Sequence, residues 1–205
     1  MTGLFSDVYY EVARDAEFVL RERGSKFYAY VYGVRSEAEV KEKLEVLKRE
    51  YPDATHHCYA WVMGARGEAQ RANDDGEPGN SAGRPILRAV ISAGLTNVLV
   101  VVVRYFGGTM LGIPGLIDAY GGSAAAALRA AGRVEKYMEE VFEVSAAFEH
   151  EQEIHRLIAK FGARVLGSEY TDAVCYRLAV KASNGRAFEQ AVNDHNQLTG
   201  KLIVG

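Results

Sequence analysis

Six consecutive aliphatic residues, Val98 to Val103, stand between Asn97 and Arg104. A run this short and this apolar reads as a buried central strand. It is far below the roughly 18 residues that a membrane-spanning helix needs, so no membrane partner is expected. Everything else must cover that strand, and 205 residues with 48% hydrophobic and 25% charged side chains are enough for one large or two small globular domains.

The patterns on either side of Gly132 to Tyr137 differ, which places a boundary there and predicts domains over 1–134 and 137–205. In the first, Phe18 to Val34 alternates in period two around Gly24-Ser25 and predicts a hairpin. Ser36 caps an amphipathic helix that runs to about Glu50. His57 to Met63 reads as a strand, Gly64 to Gly83 as a long polar loop, Gly83 to Ala93 as a helix with Pro85 in its first turn, and Arg104 to Gly115 as a glycine-rich loop before a helix over Ala119 to Ala131. The second domain reads strand, helix, strand, strand, helix, strand, the ferredoxin-like βαββαβ order, and the chain as a whole is α+β.

Charge excludes a strongly basic nucleic-acid binder. Residues 1–134 hold 16 Lys+Arg and 16 Asp+Glu, and residues 135–205 hold 8 and 11, so an RNA contact would have to use a local patch. Met1 to Tyr10 lacks the positive charge and apolar core of a leader peptide, and a cytoplasmic location is expected. Cys58 and Cys175 sit singly in strand-like stretches and read as buried thiols.

Three clusters carry the candidate chemistry. Asn73-Asp74-Asp75-Gly76-Glu77-Pro78-Gly79 places three carboxylates within four positions, a pattern that serves a divalent cation, acid–base work or simply a solvated turn. It has no EF-hand spacing. The adjacent His56 and His57 point to opposite faces of a strand, so the two cannot share a metal without a bulge; one of them is expected to face the acidic loop, as a base or as a brace. From Arg104 through Gly107, Gly108 and Gly112 to Gly115, exposed amides ahead of a helix offer an anion site, or else the glycines permit close packing, with Arg104 pinning the acids across the gap. The stretch is neither a Walker loop nor a dinucleotide fingerprint, and no cofactor or metal is expected. Tyr28, Tyr30 and Tyr32 line one strand face, suited either to stacking single-stranded bases or to lying under a helix.

Taken together, Asp75-Gly76-Glu77-Pro78, Ser81-Ala82-Gly83-Arg84-Pro85-Ile86-Leu87, the run Asn97 to Gly108, Leu111-Gly112 and Gly115-Leu116 before Ala119-Tyr120 closely resemble the IMPACT/YigZ family. The resemblance implies a first domain like the second domain of ribosomal protein S-five, shared with domain four of elongation factor G, and a second domain like domain five of that factor. It further implies work near translation with no established catalytic activity. The chain departs from the family pattern at Asn80-Ser81, at Pro114, which removes an amide donor, and at Asp118, whose charge would repel a phosphate at the helix start.

The leading expectation is a non-enzymatic protein that binds RNA or a ribosomal surface through Arg104, Arg84, Arg88 and the loops holding Gly107, Gly108 and Gly112. A hydrolase built on Asp75, Glu77 and His57 is the rival from another class, and a protein-interaction adaptor is the third reading.

Overall fold

The computed structural model describes residues 7–204. The chain divides into two compact α/β units, one spanning Tyr9–Lys136 and the other combining Asp7 and Val8 with the chain from Tyr137 onward.

The first unit is organised by the aliphatic run. It forms β6 (Val98–Tyr105), the middle strand of a five-stranded sheet in the order β2-β3-β6-β4-β5, with β2 (Ala16–Glu22), β3 (Ser25–Gly33), β4 (His56–Met63) and β5 (Ala69–Asn73). Every pairing in this sheet is antiparallel. Such a sheet often leaves one face in water, yet residues 98–103 are all fully buried, because helices cover both sides. Successive side chains alternate faces, so Val98, Val100 and Val102 join one core with α2 (Gly83–Ala93) and α3 (Gly112–Ala131), and Leu99, Val101 and Val103 join another with α1 (Glu37–Glu50). The expected hairpin, the helix capped by Ser36 and the helix opening at Gly83 all form, and Ser36 Oγ accepts the Glu39 amide at 3.3 Å.

Two expectations are corrected. The stretch Gly64 to Gly83 is not all loop: Ala69–Asn73 pairs with β4 as an edge strand. Its side chains are exposed or nearly so, and no apolar alternation announces it. The second correction lengthens a helix. α3 begins at Gly112 rather than Ala119, with Pro114 in its first turn, where a missing N–H costs nothing. The small residues inside it let the helix approach its neighbour, and a Cβ at Gly121 would lie 3.6 Å from Pro85 Cβ. A further two-stranded pairing, β1 (Val8–Val12) with β7 (Arg133–Tyr137), occupies the stretch where the sequence pattern changes.

The second unit follows β8 (Glu139–Ala146), α4 (Glu151–Phe161), β9 (Arg164–Tyr170), β10 (Val174–Lys181), α5 (Gly185–Asn193) and β11 (Leu198–Val204). Its four strands pair antiparallel in the order β11-β8-β10-β9. Phe142, Val144, Ile154, Leu178 and Phe188 fill the layer between sheet and helices. Cys58 is fully buried as expected, but Cys175 is only half-buried in β10. No helix among the described residues is long and apolar enough to cross a membrane.

Candidate functional site

Each carboxylate of the acidic loop has an internal partner, although Glu77 is the one of the three that is buried. Asp74 Oδ1 accepts the amides of Ala82 at 3.0 Å and Gly83 at 2.8 Å, and Oδ2 accepts that of Asn80 at 2.9 Å. One carboxylate thus caps the start of α2, whose own N-cap residue, Ala82, has no side chain for the task. Asp75, held at a φ of 42°, turns Oδ2 to accept the His57 amide at 2.7 Å. Glu77 is 9% exposed and lies against Arg104, with Nη1 of the guanidinium donating to Oε1 at 2.5 Å and the hydroxyl of Tyr120 donating to the same oxygen at 2.7 Å.

Arg104, expected at a contact surface, is 5% exposed. Its parity on β6 sends it to the α2–α3 side, where Nη2 also reaches Ser25 Oγ at 3.4 Å and the ring of Phe27 lies 5.4 Å beneath the guanidinium. Its Nε is buried without a partner. The arginine therefore closes the end of the core, and the expectation that it pins the acids across the gap is the one the geometry carries.

The two histidines do take opposite faces, but it is His56 and not His57 that turns toward Glu77. His56 Nδ1 lies 2.7 Å from the Asp75 carbonyl oxygen, and Nε2 is 3.8 Å from Glu77 Oε1. His57 faces α1, with Nε2 buried and unpartnered, and burial holds its pKa below the ordinary histidine range against the pull of Asp75. The grouping of Asp75, Glu77 and His57 into one acid–base cluster is therefore not assembled. Cys58 donates its thiol to the Asp74 carbonyl at 3.0 Å, and burial pushes its pKa well above the usual thiol range. Among the described residues no group of three or more His, Cys, Asp or Glu side chains is placed to hold a metal.

Backbone demands account for the glycines. Gly107 lies against the Gly24-Ser25 turn, and a Cβ there would fall 1.9 Å from the Gly24 carbonyl carbon. The close packing foreseen for this loop is real, and its partner is the β2–β3 hairpin. Gly108 and Gly112 adopt φ of 85° and 71°, which side chains disfavour. The three tyrosines take the alternative of lying beside a helix. Tyr28 stacks on Tyr51, the residue that ends α1, at 5.5 Å between ring centres, and Tyr28, Tyr30 and Tyr32 pack on the α1-side core.

Along α2 and at the end of α3 the charged side chains that face water are basic. Arg84 and Arg88 are exposed one turn apart on α2, and Arg129 and Arg133 are exposed at the end of α3 and the start of β7. None of the four is paired with an acidic side chain among the described residues. Arg129 and Arg133 did not stand out by motif. The signal was a scarcity: between Glu77 and Glu135 the chain has one acid, Asp118, against five arginines. Tyr120 and Ser25, which complete the buried cluster, stood out in the sequence as a family-motif residue and a turn residue, and only folding brings them to Glu77 and Arg104.

Comparison with known proteins gives the family. Residues 23–128 match the Impact N-terminal domain, a span that contains the buried cluster, α2 and most of α3 but stops short of Arg129 and Arg133, and residues 144–195 match a domain of unknown function, DUF1949. The IMPACT family member YigZ of Escherichia coli is 32% identical over 190 residues, covering 92% of both chains. The chain belongs to the IMPACT family. A second member, YvyE of Bacillus subtilis, is 32% identical over 182 residues, 89% of this chain and 84% of that one. A crystal structure described only as that of a hypothetical protein superimposes with a TM-score of 0.68 and 29% identity, over 97% of each chain. The IMPACT assignment thus extends over both units.

Proposed function

We propose that this IMPACT-family chain binds RNA, free or within a ribosomal surface, and acts in the control of translation from the cytoplasm. One observation carries the reading: Arg84 and Arg88 project from one side of α2 with no acidic partner among the described residues, in a chain whose other conspicuous arginine is buried. Guanidiniums spaced a helical turn apart suit successive phosphate oxygens, and such contacts position nucleic acid without reading its sequence. The family resemblance implies a first unit like the second domain of ribosomal protein S-five and a second like a ferredoxin-like domain of elongation factor G, and that implied likeness supports the same reading by analogy of fold. Domain limits of 1–134 and 137–205, taken from the change of sequence pattern at Gly132 to Tyr137, are part of the same proposal. Gly107, Gly108 and Gly112 act here by shaping the loop rather than by touching phosphate. The hydrolase alternative is weakened because Asp74, Asp75 and Glu77 are all engaged in holding the fold.

The test is binding of a single-stranded 20-nucleotide RNA and of purified ribosomal subunits across a salt series, for the native chain and Arg84→Ala/Arg88→Ala. Affinity should fall with salt, and loss of two phosphate contacts should lower the slope of log K against log salt by about 1.4 for single-stranded RNA. Binding that ignores salt, an unchanged slope in the variant, or no binding at all would overturn the reading.

A further inference from the structure

A groove of about 600 Å³ runs between α2 and α3. Its floor and walls are Pro85, Ala89, Ala93, Leu95, Ala125 and Leu128. Small-molecule sites have volumes of roughly 300–1,000 Å³, are mostly apolar, and carry a few convergent polar groups. Here those groups are Arg88 on one wall, Arg129 on the other and Arg133 at the end, with Ser92. Guanidinium stays charged at any physiological pH, and no carboxylate lines the groove to balance the three. Arg133 rests over the ring of Tyr10 at 4.6 Å, a contact that fixes its position without neutralising it.

The chemistry of the lining narrows the ligand. No aromatic ring and no amide side chain lines the groove, so a nucleobase would find no face to stack on and no side-chain amide to pair with. Along α2 the lining extends from Pro85 to Ala93, about 12 Å of helix, so a docked helix would find only two or three turns of contact. A flexible aliphatic chain fits a short trough of alanines and leucines, and the excess of positive charge calls for an anionic head.

We infer that the α2–α3 groove is a binding site for an amphiphile with an aliphatic body and an anionic head, a fatty carboxylate or an alkyl phosphate, held by Arg129 and Arg133 with Arg88. This goes beyond the RNA reading and does not rest on it. Arg84 lies outside the groove, and Ala125 is among its lining residues.

Calorimetric titration of the full chain with dodecanoate, dodecyl phosphate, dodecanol and dodecyltrimethylammonium, each below its micelle concentration, tests it. The two anions should bind saturably at one per chain, at least tenfold more tightly than the alcohol or the cation. Binding of only one anion also supports the site and identifies the head group. Ala125→Phe, which fills the groove, and Arg129→Glu should each weaken binding at least tenfold with the circular dichroism unchanged. If either variant fails to fold, amide shifts in the native chain replace it and should concentrate on α2, α3 and Arg133. Equal binding of the cation, no binding of either anion, unaltered affinity in both folded variants, or shifts scattered over the surface would overturn the proposal. Binding of a helical peptide with a leucine face and glutamate flanks where both anions fail would overturn it too, and would give the groove to a protein partner. Loss of RNA affinity in Arg84→Ala with anion binding intact would separate the two readings.

Discussion

Glu77 and Arg104, 27 residues apart in the chain, meet at 2.5 Å at the end of the central strand, and both are almost wholly withdrawn from water. Tyr120 donates to the carboxylate oxygen that Arg104 holds, and burial drives its phenol far above the ordinary tyrosine range. A buried pair of this kind adds little to stability relative to an apolar replacement, but removing one partner leaves the other charge stranded.

Glu77→Leu should therefore cost about 3–5 kcal/mol of unfolding free energy, and Arg104→Met a similar amount. The double variant Glu77→Leu/Arg104→Met should lose less than either single one, which urea denaturation of all four proteins will show. Additive losses would mean that the two side chains are not coupled.

Gly107→Ala should lose at least about 2 kcal/mol, because its Cβ would lie 1.9 Å from one backbone carbon and 2.2 Å from the Ser25 nitrogen, forcing the hairpin and loop apart. Gly79→Ala meets nothing within 4 Å and should stay within about 0.5 kcal/mol of the native chain. Paired melting curves check both.

Acid should weaken the fold through His57. Burial lowers its pKa below the 6.5 expected of the unfolded chain, so above that pH both states are neutral and the group is indifferent. Below pH 6.5 the unfolded chain takes up a proton that the folded one resists, and stability falls until the folded-state pKa is passed. Melting temperatures between pH 8 and pH 5 should fall less steeply for His57→Gln than for the native protein, and identical slopes would exclude the histidine as the source.

The two thiols should behave differently. Burial raises the pKa of both, but Cys58 is fully buried whereas Cys175 is half-buried in β10 and within reach of a reagent. A disulfide reagent at pH 8 should titrate one thiol in the folded chain and two after denaturation, and Cys175→Ser should leave none accessible before unfolding.

Much of this protein was legible in the sequence because the signals were local. Six aliphatic residues specify a strand buried on both faces, Ser36 specifies a helix start, and strand alternation alone sends His56 and His57 to opposite sides. Glycines at 107, 108 and 112 announce a backbone that approaches closely or turns left-handed. The exposed strand Ala69–Asn73 was hidden because main-chain pairing with β4 makes it, and pairing leaves no mark on side-chain pattern. The same limit governs the site. Three acids in one loop read equally well as chemistry or as scaffold, and only tertiary structure places Asp74 on the amides of α2, Asp75 on the amide of His57 and Glu77 on Arg104. Which arginine is buried and which faces water is likewise decided by packing. Arg104 follows Val103 on a strand covered by helices, whereas Arg84 and Arg88 lie on the outer side of a helix, and burial is a property of the layer a residue ends up in rather than of the residue itself.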